Sequence, residues 1–187
     1  MSDPIHERGQ ALEELFFHKK NEELLNNLKA EMAAEEKRKA LTECTGINDA
    51  DLLNRLLAAN IDATTIACFA LVPLVVVAWA DGDVAEAERA AILSASESSG
   101  LSRETGSLQL LENWLQSEPG EELLSTWKDY VAALKTTLTN EDYAHLKTKV
   151  LTRAKQVAET AGGFLGLGNK VSTEERAVLD ELALAFT

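Results

Sequence analysis

Apolar residues recur at helical spacing along most of the chain. In a long first segment, at about residues 5–43, they step by four or eight positions, at Leu12, Phe16, Leu24, Leu28 and Met32. A later segment repeats the pattern at Leu123, Trp127, Val131, Leu134 and Leu138. Sustained period-two alternation flanked by hairpin dipeptides does not occur. The pattern therefore predicts an all-α protein, built as a compact multi-helix bundle.

Capping residues divide the chain into about eight predicted helices. Gly46 is expected to end the first helix and Asn48 to cap a second, at 49–59. Further helices are predicted at 62–79, 84–99 and 103–117, followed by one over Leu123–Leu138. Thr139 or Asn140 caps the next helix, and Ser172 with Glu175 forms a capping box for the last.

One stretch, "ATTIACFALVPLVVVAWA" at 63–80, contains no charge. Its 18 residues reach the lower limit of a membrane-spanning length. Polar residues dilute its first turns, Pro73 interrupts it, and no Lys or Arg flanks it to orient a span. We therefore expect a buried helix at the centre of the bundle, kinked at Pro73, and no membrane partner.

The charge balance is acidic, with 31 Asp and Glu against 18 Lys and Arg and a net charge of −13. Such a surface repels phosphate backbones and anionic lipid, so nucleic acid is not an expected partner. Basic proteins and divalent cations remain candidates. Cys44 and Cys68 are read as free thiols in a reducing compartment, and the start of the chain does not resemble a signal peptide, so a cytoplasmic location is expected.

The first segment is dense in Glu and Lys and has a thin apolar stripe. A helix of this kind has little reason to be buried entirely in its own domain. We therefore divide the chain into a charged helical arm at 1–44 and a helical domain at 45–187. The arm is predicted to bind a protein partner, or a second copy of the chain, through Phe16, Phe17, Leu24, Leu28 and Met32.

An acidic turn, "ADGD" at 80–83, follows the apolar run. It does not fit an EF-hand, because the sixth position from Asp81 is Glu86 and the twelfth is Ile92. Two interpretations remain open. Asp81, Asp83 and Glu88 hold a divalent cation such as calcium, magnesium or zinc, or Asp81 or Asp83 only caps the next helix while Gly82 lets the chain turn.

The acidic turn has a counterpart near the C-terminus. Residues 81–93 align without gaps on 168–180, so that Val84 matches Val171 and Glu88 matches Glu175. In both units a valine precedes the helix and a glutamate lies in its first turn, which indicates an internal pseudo-repeat. Between the units, Phe164, Leu165 and Leu167 of "GGFLGLG" are predicted to form an apolar plug or an exposed adhesive loop.

The segments "AWADGDVAEAER" and "GGFLGLGNKVSTEE" resemble the TerB-like, tellurite-resistance-associated helical domains, over about residues 45–187. The resemblance implies a bundle of seven or eight helices with a pseudo-repeat, and an acidic patch that binds divalent cations in stress-response or signalling proteins. By motif position it carries over Asp81, Glu88 and Glu175. The chain departs from the pattern at Gly168 and Asn169, which leave the second unit without a counterpart to Asp81.

The N-terminal segment "LEELFFHKKNEELLNNLKAEMAAEEKRKALTECTGI" is similar to the start of the ATP synthase inhibitor zeta subunit family. That similarity implies an inhibitor acting through its N-terminal helix. The leading functional hypothesis is a non-enzymatic interaction or regulatory module, with a cation at Asp81, Asp83, Glu88 and Glu175. The alternatives are such an inhibitor, or a small metal-dependent hydrolase using the same acidic patch.

Overall fold

The computed structural model describes residues 4–101, 106–161 and 171–187, with side chains described for 19, 20, 22–101, 106–160 and 171–187. Its described residues form helices and no strand, which confirms the all-α prediction. The helices are α1 Pro4–Thr45, α2 Ala50–Ala58, α3 Ile66–Phe69, α4 Val72–Ala78, α5 Glu86–Ser98, α6 Ser107–Gln116, α7 Glu121–Thr137, α8 Asn140–Ala161 and α9 Thr173–Leu184.

The uncharged stretch lies at the centre of the bundle, as predicted. Helix α4 packs against α5, α7, α8 and α9, and six of its seven residues are buried. The prediction of a single kinked helix at 62–79 is wrong, because the helix is interrupted at Ala70 and Leu71 and divides into α3 and α4. Pro73 lies in the first turn of α4. Backbone N–H groups in a first turn have no helical acceptor, so the N–H that proline lacks costs no helical hydrogen bond.

Within the described part of the chain, no helix combines the length and the apolarity that crossing a bilayer requires.

The end of α1 follows the sequence signal, and the start of α2 departs from it by one residue. Gly46 ends α1 in a left-handed conformation, with φ +73°, and donates its N–H to the carbonyl of Thr42. Asp49, rather than the predicted Asn48, caps α2 by accepting from the N–H of Leu52 at 2.9 Å. Both side chains have the acceptor that a cap needs, so only the position of the first turn decides between them.

Among its described side chains, helix α1 meets the bundle through its C-terminal part. Ala34 and Arg38 are half-buried and Leu41 is fully buried, so the inward face begins at about residue 34. Arg38 donates to Oδ1 of Asn54 on α2 at 2.9 Å. Before that point, every described side chain from residue 19 to residue 33 is exposed. The predicted arm is therefore a helix that stands away from the bundle over this part of its length.

Candidate functional site

The acidic turn joins α4 to α5 through Gly82, which adopts φ +91°. Asp81 accepts a 3.4 Å hydrogen bond from the backbone N–H of Asp83, and both side chains are exposed. Neither caps α5, because the N-cap position is Ala85, whose side chain has no acceptor. Capping by Asp81 or Asp83 is therefore wrong. Glu88 reaches back instead and accepts from the N–H of Ala85 at 2.9 Å.

The second unit uses the same contact. Glu175 accepts from the backbone N–H of Ser172 at 2.5 Å, and Ser172 Oγ accepts from the N–H of Glu175 at 3.1 Å, which confirms the predicted capping box. Glu88 is 3% exposed and Glu175 is 5% exposed. Each unit therefore buries one carboxylate in the first turn of a helix and satisfies one of its oxygens with a backbone donor.

Burial raises the pKa of Glu88 to about 7. The hydrogen bond from Ala85 opposes this shift, while the negative charges of Glu175, Asp81 and Asp83 add to it. The fold thus brings all four predicted ligands near enough for three of them to act electrostatically on the fourth. At neutral pH, a substantial fraction of the Glu88 side chains carries a proton.

Electrostatic proximity is not ligand geometry. Within the described ranges, no three or more His, Cys, Asp or Glu side chains are grouped so that they could hold a metal ion. Glu88 and Glu175 each commit an oxygen to a backbone N–H, and the two aspartates point into solvent. In this conformation the four carboxylates do not form a coordination sphere, which for calcium needs six to eight oxygens.

The two units differ at the residue that follows the buried glutamate. Arg89 donates to the carbonyl of Leu115 at 2.6 Å, whereas the matching Arg176 is exposed. Trp79 donates its ring N–H to the neighbouring carbonyl of Trp114 at 2.8 Å. These two side chains satisfy carbonyls in the last turn of α6, which lack helical partners. Neither contact was predicted from the sequence, because the partners of Arg89 and Trp79 lie 26 and 35 positions away.

The arm carries the other predicted site. Leu24, Leu25, Leu28 and Met32, here called the arm stripe, are 53%, 56%, 55% and 64% exposed. Three of them were predicted to bind a partner. Leu25 was missed, although its spacing of three residues from Leu28 places it on the same face. The side chains of Phe16 and Phe17 lie outside the described residues, as do Phe164, Leu165 and Leu167 of the predicted plug.

A groove of about 570 Å³ opens between the C-terminal ends of α2 and α6 and the start of α7. Leu110, Trp114 and Leu123 contribute to its apolar lining, and Arg55, Glu118 and Glu122 carry its charges. None of the four residues of the acidic turn and its repeat lines it. The hydrolase alternative places its chemistry at the acidic patch, and that patch lies outside this groove, so the groove does not support it.

The buried cysteine is a poor nucleophile. Both thiols are free, as predicted, with Cys44 exposed and Cys68 buried. Burial raises the pKa of Cys68 to about 12, against a smaller opposing effect of a backbone hydrogen bond at Leu111. Because the thiolate is the reactive form, Cys68 is protonated and unreactive at neutral pH.

No protein-family model matches the chain, and no curated protein or solved structure is significantly similar to it.

Proposed function

We propose that this protein is a non-enzymatic, cytoplasmic regulatory module that binds another protein through the arm stripe. One observation carries the proposal: four large apolar side chains lie together on one helix, each more than half exposed. Apolar patches rimmed by polar residues are typical of protein interaction surfaces. An amphipathic helix recognises its partner through anchors spaced three and four residues apart, as Leu25, Leu28 and Met32 are.

The charges around the arm stripe favour a protein partner over a bilayer. Residues 19–39 contain six cations and five carboxylates, so this part of the arm is close to neutral. Interfacial membrane helices instead rely on a cationic polar face to bind anionic lipid. A mixed surface of this kind suits a helical protein partner, with which alternating charges can pair.

Site-specific photo-crosslinking in cells that make the full chain tests this proposal. Benzoylphenylalanine in place of Leu28 is expected to give a discrete adduct. The matched control is the same group in place of Ala30, which is exposed and lies about 200° around the helix from Leu28. Equal labelling from both positions, or none from Leu28, would rule out the arm stripe as a binding surface.

A divalent cation at the acidic turn is a second proposal, supported by the mutual repulsion of Glu88, Glu175, Asp81 and Asp83. A bound cation would remove that repulsion, but it would have to draw the exposed aspartates towards Glu88. Thermal melts with calcium, magnesium or zinc test it, because a ligand that binds only the folded state raises Tm. A rise that Asp81→Asn abolishes supports the proposal, and the absence of any rise for all three cations refutes it.

A further inference from the structure

We infer that the occupant of the arm stripe is the arm of a second copy of this chain, lying antiparallel to the first. The inference rests on the proposed function, since it identifies the partner that the arm stripe binds. It is drawn from the spacing of the apolar residues, the charges on either side of them and the point at which α1 enters the bundle.

The arm stripe has the spacing of a two-helix seam. Leu25 and Met32 are seven residues apart with Leu28 between them, the a–d–a order of a heptad. Leu24 adjoins the seam at position g. All four side chains are more than half exposed, so a facing helix can insert its own side chains between them without any rearrangement of the bundle.

The flanking charges disfavour a parallel pair of arms. In a parallel pair, a residue at g faces the residue five positions later on the other helix. Glu31 would then face Glu36 of the second copy, and the same repulsion would occur twice because the pair is symmetric. Lys29 would face Leu24 and gain no charge partner. The one opposite pair, Arg38 with Glu43 of the second copy, lies where α1 enters the bundle, and Arg38 is already bonded to Glu35 and Asn54 there.

An antiparallel pair separates Glu31 from Glu36 of the second copy and gives Lys29 an opposite charge. When Leu25 packs against Leu28 of the second copy, residues at position e face one another across the seam. Glu22 then lies opposite Lys29 of the second copy, and the two-fold axis gives this pair twice. If the overlap were shifted by one heptad towards the bundle, Lys29 would instead lie opposite Lys29 of the second copy, and the two cations would repel.

Net charge also points to the arms as the place where two copies approach. The whole chain carries −13, so two bundles repel each other. Between residues 19 and 39 the cations and carboxylates nearly balance. Contact through this part of α1 therefore avoids most of the repulsion and keeps the two bundles at opposite ends of the pair.

The bundle does not obstruct this arrangement. The face that enters the bundle carries Ala34, Arg38 and Leu41. The face that continues the arm stripe carries Glu35 and Lys39, which are both exposed. At 100° per residue these faces are separated by roughly a third of a turn, so a second helix can run past the bundle along the exposed side.

Charge reversal in the purified full-length protein tests the register. Sedimentation velocity across a range of concentrations is expected to give a monomer–dimer equilibrium, and Lys29→Glu or Glu22→Lys alone to weaken it at least tenfold. Mixing the two variants restores every opposite pair, so the heterodimer is expected to regain the affinity. Glu23→Lys, an equal change of charge on the outer side of the helix, is the control and is expected to leave the dimer intact.

The exposed thiol of Cys44 tests the orientation. A spin label on it, with Cys68 buried and unlabelled, measures the distance between the two copies. In the antiparallel register the two Cys44 positions are 35 residues apart along the pair, or about 50 Å, whereas a parallel pair would bring them to about 10 Å. A distance near 50 Å supports the inference, and a short one overturns it.

The failures of the two proposals are distinguishable. A chain that remains monomeric at every concentration, or a dimer insensitive to Leu28→Asp, overturns the second-copy inference. If crosslinking from Leu28 still yields an adduct with a different protein, the arm stripe remains a binding surface and only its occupant is wrong. If crosslinking yields no adduct and the chain is monomeric, both proposals fail.

Discussion

Helix α4 and the arm of α1 contain apolar residues in opposite settings. In α4 they cover the whole circumference, and the helix is enclosed by α5, α7, α8 and α9. In the arm they form a narrow stripe between charges, and the stripe lies exposed. A helix that is apolar all round must be surrounded to be stable, whereas a striped helix needs only one partner. The bundle is therefore complete around α4, while α1 retains an apolar stripe that its own bundle does not cover.

The largest effect expected from this comparison is at Phe69, next to α4. Phe69 is fully buried and its ring meets that of Tyr130 edge to face, with centroids 5.4 Å apart. Phe69→Ala removes both the burial and the ring contact, and leaves a cavity. We expect it to lower the free energy of unfolding by about 3–5 kcal/mol. Urea denaturation followed by circular dichroism measures the loss.

The matched change in the arm is Leu25→Ala. Leu25 is 56% exposed, so at concentrations where the chain is monomeric we expect its free energy of unfolding to change by less than about 0.5 kcal/mol. A loss comparable to that of Phe69→Ala would mean that the arm packs on its own bundle, and the distinction between the two regions would fail.

The next effect concerns a buried carboxylate rather than a buried ring. The pKa of Glu88 is about 7 in the folded protein, raised first by burial, against an ordinary value of 4.5. Between these values the folded state holds more protons than the unfolded state, so this group lowers stability progressively as pH rises from about 4.5 to about 7. Above that window its ionisation costs the fold about 3 kcal/mol.

Glu88→Gln keeps an acceptor for the N–H of Ala85 and removes the ionisation. We expect the variant to be more stable than the parent at pH 8, and this advantage to shrink towards pH 4. Thermal melts at several pH values measure the difference. Glu23→Gln on the exposed arm is the control and should change neither Tm nor its pH dependence. A pH profile unaltered by Glu88→Gln would contradict the raised pKa.

The smallest effect is at the helix end that Arg89 satisfies. Arg89→Met retains much of the side-chain volume but leaves the carbonyl of Leu115 without its 2.6 Å donor. Loss of that hydrogen bond is expected to cost about 1–2 kcal/mol. The matching change in the second unit, Arg176→Met, alters an exposed side chain and should cost less than about 0.5 kcal/mol. Equal losses in chemical denaturation would mean that the carbonyl contact contributes nothing.

The pseudo-repeat shows why part of the site was predictable and part was not. A glutamate three residues after a helix start reaches back to its own turn, so the local sequence is enough to predict the contact of Glu175 with Ser172. The same local rule failed for Asp81 and Asp83, because the turn at Gly82 places them four and two residues before the cap at Ala85. The electrostatic link between Glu88 and Glu175 joins residues 87 positions apart, and no local pattern encodes it.

The sequence by itself determined the helical class, most helix boundaries, the burial of the uncharged stretch and the exposure of the charged arm. These follow from periodicity, capping chemistry and charge density, which act within a few turns of helix. Only the tertiary structure decided where α3 and α4 divide, which backbone carbonyls Trp79 and Arg89 satisfy, and that the buried carboxylate of Glu88 lies near that of Glu175. Each of these depends on how distant helices pack, and that packing sets the solvent exposure and the charges around every group.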